Sequence, residues 1–309
     1  MLAAVNNFLK YVDDLVWGVP LIVAILLTGI YLTIRLKGIQ ITKLPKALKY
    51  MFENEESGHG EVTSFGALCT ALSATIGTGN IVGVATAISA GGPGALFWME
   101  IAALFGMATK YSEGLLAIKY RTTDKHGHIL GGPFYYIENG MGKKWTWLAK
   151  IFAFFGMGVG LFGIGTFTQV NGITSAVGNF FDPNAQNVIH LLGRDYTLAV
   201  VISGLILTVC VGLVVIGGLK RIAKVSEIVV PFMAVIYITI SLLLLILNAN
   251  KIPAAIVEIV SSAFGLRAAA GGALGAIIVA MQKGIARGIF SNEAGLGSAP
   301  IAAAAAQTK

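Results

Sequence analysis

The sequence predicts an all-α integral membrane protein in which at least one membrane helix is discontinuous. Hydrophobic residues make up 56% of the 309 residues and charged residues only 12%, about half the charged share of an ordinary soluble domain. Several apolar stretches reach the length of about 20 residues that a helix needs to cross a hydrocarbon core. We place seven spans near residues 16–35, 65–90, 94–118, 147–170, 197–217, 225–247 and 272–305. They leave no room for a soluble domain, so we expect residues 1–309 to form one transmembrane domain.

The first span and the loops between the spans allow further structural predictions. The first span follows an acidic start and is too long for the core of a signal peptide, so we expect it to be retained. Over 43–50 the sequence favours a short amphipathic helix at the membrane surface, with a plain connecting turn as the alternative. The turn Gly91–Gly94 joins the second and third spans as an antiparallel pair. A similar glycine and proline turn at 131–133 precedes another short helix, over 135–141.

Basic residues alternate between the two sets of connections. One set carries thirteen Lys and Arg residues and the other set carries four. By the positive-inside rule, the N-terminus is predicted to lie outside the cell membrane. The net charge of +7 is thereby explained as a topology signal, and we expect a lipid bilayer and no nucleic acid as a partner.

The second span contains the discontinuity, in the segment Ser73-Ala-Thr-Ile-Gly-Thr-Gly-Asn80. Polar backbone at bilayer depth is tolerated where it lines a cavity. The free amides after such a break carry a positive partial charge, and the unpaired carbonyls before it a negative one. The amides expected to bind a carboxylate belong to Gly77, Thr78 and Gly79. The oxygens expected to bind a small hard cation are the carbonyls of Ser73, Ala74, Thr75 and Ile76, with the side chains of Thr75 and Asn80.

The alternative interpretation is a glycine-rich packing face between helices, which is common in membrane bundles. Four polar side chains within eight residues favour a binding site over packing.

A second discontinuity is predicted in the seventh span. Lys283, Arg287 and Glu293 lie within this span, where charged side chains need partners or water. We expect the helix to unwind at Gly284 and Gly288. The two broken spans run in opposite directions and start five spans apart, which favours inverted repeats of the kind found in secondary transporters. We therefore expect a first repeat over 65–247 and the start of a second over 272–309.

Other ionisable side chains leave two alternatives open. Glu100, Lys110 and Glu113 on the third span form either a structural polar stripe or a proton path.

The four histidines lack metal-ligand spacing, so no transition-metal site is expected. The Gly-Thr-Gly-Asn motif does not follow a strand of a βαβ unit and is therefore no dinucleotide fingerprint. We expect neither an enzyme nor a cofactor.

The segment Gly91-Gly-Pro-Gly-Ala-Leu-Phe-Trp-Met-Glu-Ile-Ala-Ala-Leu-Phe-Gly106 resembles the signature of the sodium:alanine symporters, also called the alanine or glycine:cation symporter family. Ser73–Gly83 and Phe290–Pro300 are likewise similar to that family. The resemblance implies a LeuT-type inverted-repeat bundle of the APC superfamily, with the first span as an additional N-terminal helix. It also implies that the chain stops after the sixth core helix, so that the remaining helices of the second repeat would be missing.

The resemblance implies roles for residues of the first break. Thr78 and Gly79 would face the substrate carboxylate, and Thr75 and Asn80 the sodium nearest to it. The carbonyls of Ser73 and Ile76 would serve a second sodium. The residues expected to wall or line the substrate pocket elsewhere are Phe167, Gln169, Met281, Gln282 and Gly284.

The function expected from these observations is import of a small neutral amino acid, alanine or glycine, across the cell membrane with sodium as the coupling ion. Two alternatives remain. Coupling could use protons through Glu100 or Glu113, or the protein could be an ion channel. The clustering of polar residues at two breaks disfavours a channel, which needs a continuous polar lining.

Overall fold

The computed structural model describes residues 2–51, 53, 58–163, 165–191, 193–265 and 273–308. Residues 272 and 309, the expected limits of the second repeat, lie outside these ranges. The helices are α1 (Leu2–Val16), α2 (Val19–Arg35), α3 (Ile39–Thr42), α4 (Leu44–Tyr50), α5 (Ser64–Thr75), α6 (Val82–Gly91), α7 (Gly94–Lys119), α8 (Pro133–Met141), α9 (Thr146–Leu161), α10 (Thr166–Phe181), α11 (Leu198–Val215), α12 (Gly218–Leu247), α13 (Ile252–Ala263), α14 (Ala273–Asn292) and α15 (Ala299–Ala304). Two antiparallel hairpins pair β1 (Thr122–Thr123) with β2 (Ile129–Leu130) and β3 (Val188–Leu191) with β4 (Arg194–Thr197).

A helix is present at each of the seven predicted spans, and the short helices predicted over 43–50 and 135–141 are confirmed as α4 and α8. By length and apolar composition, four helical stretches within the described ranges could each cross a membrane, or five if α5 and α6 count as one bent span. Helix α2 has 17 residues, somewhat fewer than the about 20 that a straight membrane-spanning helix needs. Helix α7 is long enough but carries Glu100, Lys110 and Glu113 along its length. The fold is therefore that of a multi-pass membrane protein.

The discontinuity predicted in the second span is confirmed. Helix α5 ends at Thr75, Ile76 and Gly77 adopt extended backbone, and a 3-10 turn over Thr78–Asn80 leads into α6. The two helical segments are bent by 59° relative to each other. The separation of the two glycines by one residue, together with their low helix propensity, accounts for the loss of regular α-helix at this point.

The second discontinuity is present, but its predicted position was wrong. Helix α14 is continuous through Gly284 and Gly288 and ends at Asn292. The chain then unwinds where Glu293, Gly295 and Gly297 have positive φ angles of 54°, 85° and 79°, before α15 begins. Gly284 and Gly288 instead allow close packing on α7, since a Cβ at Gly288 would lie 3.1 Å from the carbonyl oxygen of Met99.

The two bent helices lie side by side in opposite directions. Helix α14 packs along α6 in antiparallel fashion, with Gly83 against Arg287 and Gly91 against Lys283. At the other end, the hydroxyl of Ser64 at the start of α5 donates a hydrogen bond to the carbonyl oxygen of Gln307. The two breaks are thereby brought together in the middle of the bundle.

The core beside the breaks is formed by α2, α7 and α14. Its fully packed members are Ile22, Ala102, Ile285 and Ile289. The packing of these buried side chains fixes the position of α14 against α7 on one side. The other side of α14 faces the first break.

Several elements were not predicted from the sequence. Helix α1 precedes the first span, α13 occupies the predicted connection over 248–272, and the hairpin of β3 and β4 lies in the connection over 171–196. The fourth span is also longer than predicted, because helix resumes in α10 after an interruption and continues to Phe181.

Arg121 connects the segment that precedes α5 with the segment that follows the second break. The guanidinium of Arg121 donates hydrogen bonds to the carbonyl oxygens of His59, Ala304, Ala306 and Thr308, at donor–acceptor distances of 2.6 to 3.2 Å. Burial lowers the pKa of this guanidinium, but an arginine remains charged in proteins. We call this set of contacts the Arg121 clamp.

Arg121→Ala is expected to lower the free energy of unfolding by about 2 kcal/mol, because hydrogen bonds to charged groups contribute about 1.5 to 3 kcal/mol. Thermal unfolding of the purified full-length protein in detergent would show this as a lower Tm. Lys125→Ala, at an exposed position of the same loop, is the matched control and should leave the Tm unchanged. Equal Tm values for both variants would contradict a stabilising role for the Arg121 clamp.

Candidate functional site

The two breaks open onto one central cavity of about 640 Å³. Its walls come from the first break, from the N-terminal half of α10 and from the end of α14. From the first break and the start of α6 the lining residues are Ala74, Thr75, Gly77, Thr78, Gly79, Val82, Gly83 and Thr86. From α14 and the second break they are Arg287, Phe290, Ser291, Glu293, Leu296 and Ser298. The cavity therefore combines backbone polar groups with charged, hydroxyl and aromatic side chains.

The residues that bear the amides of the first break line this cavity. The Gly77 amide donates a hydrogen bond of 2.9 Å to the side-chain oxygen of Asn80, and the Thr78 amide donates one of 3.2 Å to Gln169 on α10. Beside Gly79 the space is open, since a Cβ there would meet no atom within 4 Å. The positive end of the break is thus accessible to a small ligand.

The carbonyls that end α5 have lost their helical partners. In a continuous helix the carbonyls of Ser73 and Ala74 would accept hydrogen bonds from the amides four residues later, those of Gly77 and Thr78. Both amides donate elsewhere, to Asn80 and Gln169. Two carbonyl oxygens with no helical donor are suitable ligands for a hard cation.

Asn80 links the two breaks directly. Its side-chain oxygen accepts from the Gly77 amide, while its side-chain nitrogen donates a hydrogen bond of 2.9 Å to the hydroxyl of Ser291 on α14. One carboxamide therefore supports the backbone of the first break and connects it to the second.

Helix α7 holds the second break with two opposite charges. The ammonium group of Lys110 donates to the carbonyl oxygen of Asn292, at the C-terminus of α14, over 3.0 Å. One turn further along, the buried carboxylate of Glu113 accepts from the Gly295 amide over 3.1 Å. A cation at a helix C-terminus and an acceptor for a free amide both stabilise an unwound segment. These contacts favour the structural alternative for Lys110 and Glu113 over a proton path.

Residues 2–309 match the sodium:alanine symporter family. The chain belongs to that family. The resemblance in the Gly91–Gly106 segment is thereby confirmed.

Several curated transporters align with almost all of this chain. An "Uncharacterized transporter" of Haemophilus influenzae is 55% identical over 99% of the chain and 63% of its own length. The "Sodium/alanine symporter AgcS" of Methanococcus maripaludis is 48% identical over 98% of the chain and 63% of its own length. The "Probable sodium/glutamine symporter GlnT" of Bacillus subtilis is 40% identical over 96% of the chain and 58% of its own length. The chain thus spans about three fifths of the length of these relatives.

The structure of this sodium:alanine symporter family member brings six of the predicted site residues to the cavity wall: Ala74, Thr75, Gly77, Thr78, Gly79 and Gln169. Asn80 adjoins them through its hydrogen bond to Gly77. Ser73 and Ile76 belong to the same break but do not line the cavity.

The remaining predicted pocket residues lie elsewhere. Phe167 is 73% exposed and its ring packs on Gly163. Met281 packs on the core of α2, α7 and α14, and Gly284 is buried against the backbone of Ala95. Neither these residues nor Gln282 line the central cavity. The unwinding begins at Glu293, about one and a half turns after Gly288 and about two and a half turns after Gly284, which explains why the expected residues of that helix lie away from the cavity.

Sequence reasoning missed several wall residues of this family member. Trp17 lies between α1 and α2, and its ring meets that of Phe290 edge-on at 6.2 Å. The guanidinium of Arg287 lies 5.8 Å from the Phe290 ring centre and 3.4 Å from the hydroxyl of Thr86. Arg287 had a sequence signal, because a charge within an apolar span needs a polar partner. Trp17 had none, since only the packing of α2 brings it to the cavity.

Proposed function

We propose that the full-length protein is a secondary active transporter that imports a small neutral amino acid, alanine or glycine, together with sodium. The observation that carries this proposal is the first break, where residues that bear donor amides and Ala74, whose carbonyl has no helical donor, line one cavity. The amides suit the carboxylate of an amino acid, and the carbonyls suit a sodium ion. The names of two relatives, a sodium/alanine and a sodium/glutamine symporter, support both the coupling ion and the substrate class.

In this proposal the amides of Thr78 and Gly79 bind the carboxylate. Thr75 and Asn80 contribute oxygens to the sodium nearest the substrate, and the carbonyls of Ser73, Ala74 and Ile76 contribute to sodium binding on the α5 side. The two oppositely directed bent helices support the proposal that they are corresponding elements of inverted repeats in a LeuT-type bundle, with access alternating around the shared breaks.

Uptake of radiolabelled alanine into proteoliposomes that contain the full-length protein tests the proposal. We expect saturable uptake that requires an inward sodium gradient, and competition by glycine more strongly than by glutamine. Unchanged uptake after replacement of sodium by choline would overturn sodium coupling. Uptake driven by a pH gradient in the absence of sodium would instead support proton coupling, and flux without saturation or counterflow would support a channel.

A further inference from the structure

The side chain of Gln169 occupies the place that the proposed function gives to the substrate. Its carboxamide oxygen accepts a hydrogen bond from the Thr78 amide over 3.2 Å, and the Thr78 hydroxyl lies 3.4 Å from the same oxygen. A carboxamide oxygen and a carboxylate oxygen accept hydrogen bonds from a backbone amide in the same way. They cannot both occupy the position in front of one amide.

We propose that Gln169 is a placeholder, whose carboxamide oxygen takes the carboxylate position at the Thr78 amide and has to be displaced when substrate binds. This inference rests on the proposed function, because it takes the Thr78 amide as a carboxylate donor. It adds a role for a particular side chain on α10, namely that it competes with the ligand and does not contact it in the same position.

The backbone around Thr78 is shaped to receive this carboxamide. A Cβ at Gly77 would lie 2.6 Å from the Gln169 side-chain oxygen and 2.8 Å from its carboxamide carbon, so a side chain at residue 77 would displace the carboxamide. One turn along α10, a Cβ at Gly172 would lie 2.8 Å from the methyl group of Thr78. Two glycines, one on each element, therefore bring α10 close enough for Gln169 to reach the break.

Displacement has a consequence for affinity and for ligand choice. The apparent dissociation constant rises in inverse proportion to the fraction of molecules whose amide is free, as for any binding-competent minor state. A carboxylate can displace the neutral carboxamide because hydrogen bonds to an ionised acceptor are stronger. A ligand whose acceptor is neutral, such as alaninamide, gains no such advantage. Gln169 would therefore favour ligands that carry a free carboxylate.

The test is alanine binding to the purified full-length protein at saturating sodium. Gln169→Leu keeps most of the side-chain bulk but removes the acceptor, and we expect the Kd for alanine to fall about two- to tenfold, the range that corresponds to one net hydrogen bond. Gln169→Glu places a charged acceptor against the same amide, and we expect the Kd to rise about tenfold or more. Preference for alanine over alaninamide should shrink in Gln169→Leu.

The matched control is Asn179→Leu, which removes an exposed carboxamide from the same helix and should leave the Kd unchanged. A higher or unchanged Kd in Gln169→Leu would overturn the placeholder role, since Gln169 would then be a direct ligand contact or irrelevant. If Gln169→Leu does not fold, Gln169→Met supplies the same test, because a thioether is only a weak acceptor. Absence of sodium-dependent alanine binding in the unsubstituted protein would instead refute the proposed function.

Discussion

Gly284→Ala is expected to prevent most of the full-length protein from accumulating in a folded state. A Cβ at this position would overlap the backbone carbonyl group of Ala95 on α7. Backbone cannot swing aside as a flexible side chain does, so the two helices would have to separate. Overpacking in a well-packed core costs about 1 to 3 kcal/mol and occasionally more, and we expect a loss at the upper end of that range. Fluorescence-detected gel filtration and thermal unfolding in detergent measure it.

The same helix offers a matched control for this substitution. Gly275 also lies in α14, but a Cβ there would meet no atom within 4 Å. Gly275→Ala should therefore raise the stability by up to about 1 kcal/mol, because alanine has the higher helix propensity. Similar yields and Tm values for the two variants would show that α14 does not pack on α7 at Gly284.

Glycines in this sequence have two structural roles: some interrupt a helix, and others allow close packing between helices. The sequence predicted the position of the first break but not which glycines serve packing. Gly77 and Gly79 stand one residue apart among polar residues, and the break there was predicted at the right position. The sequence predicts unwinding at Gly284 and Gly288 as well, but their lack of a side chain serves close helix packing. The residues that unwind are Gly295 and Gly297, with positive φ. Local sequence cannot distinguish these uses, because the partner surface on α7 is distant in the chain.

In the candidate site, too, contacts between segments that are distant in the chain could not be predicted from local sequence. Its backbone groups follow from the position of the first break, so Thr75 to Gly79 could be identified from the sequence. The side chains that complete the cavity come from elements whose relative positions are set by long-range packing. Gln169 was expected near the pocket, yet its hydrogen bond to the Thr78 amide depends on the approach of α10. Trp17 reaches the cavity only because α2 packs on α7 and α14.

Asn80→Ala is expected to weaken alanine and sodium binding together. Its side-chain oxygen holds the Gly77 amide and its nitrogen holds the Ser291 hydroxyl. Removing both contacts would leave the Gly77 amide without its side-chain acceptor and would remove the link to the second break, while the backbone hydrogen bonds of the 3-10 turn remain. A polar group left unsatisfied in a buried site costs about 1 to 3 kcal/mol, so we expect the alanine Kd and the half-saturating sodium concentration each to rise about tenfold or more.

Ser291→Ala separates the two contacts of Asn80. It removes only the link to α14 and keeps the hydrogen bond that fixes the Gly77 amide, so the sodium requirement should change less than in Asn80→Ala. A matched rise in both quantities for Ser291→Ala would mean that the approach of the two breaks, and not the conformation of the first, controls ion binding. If Asn80→Ala retained both alanine affinity and sodium dependence, the site would have to lie away from the first break, because no other side chain of the described residues bonds to the Gly77 amide.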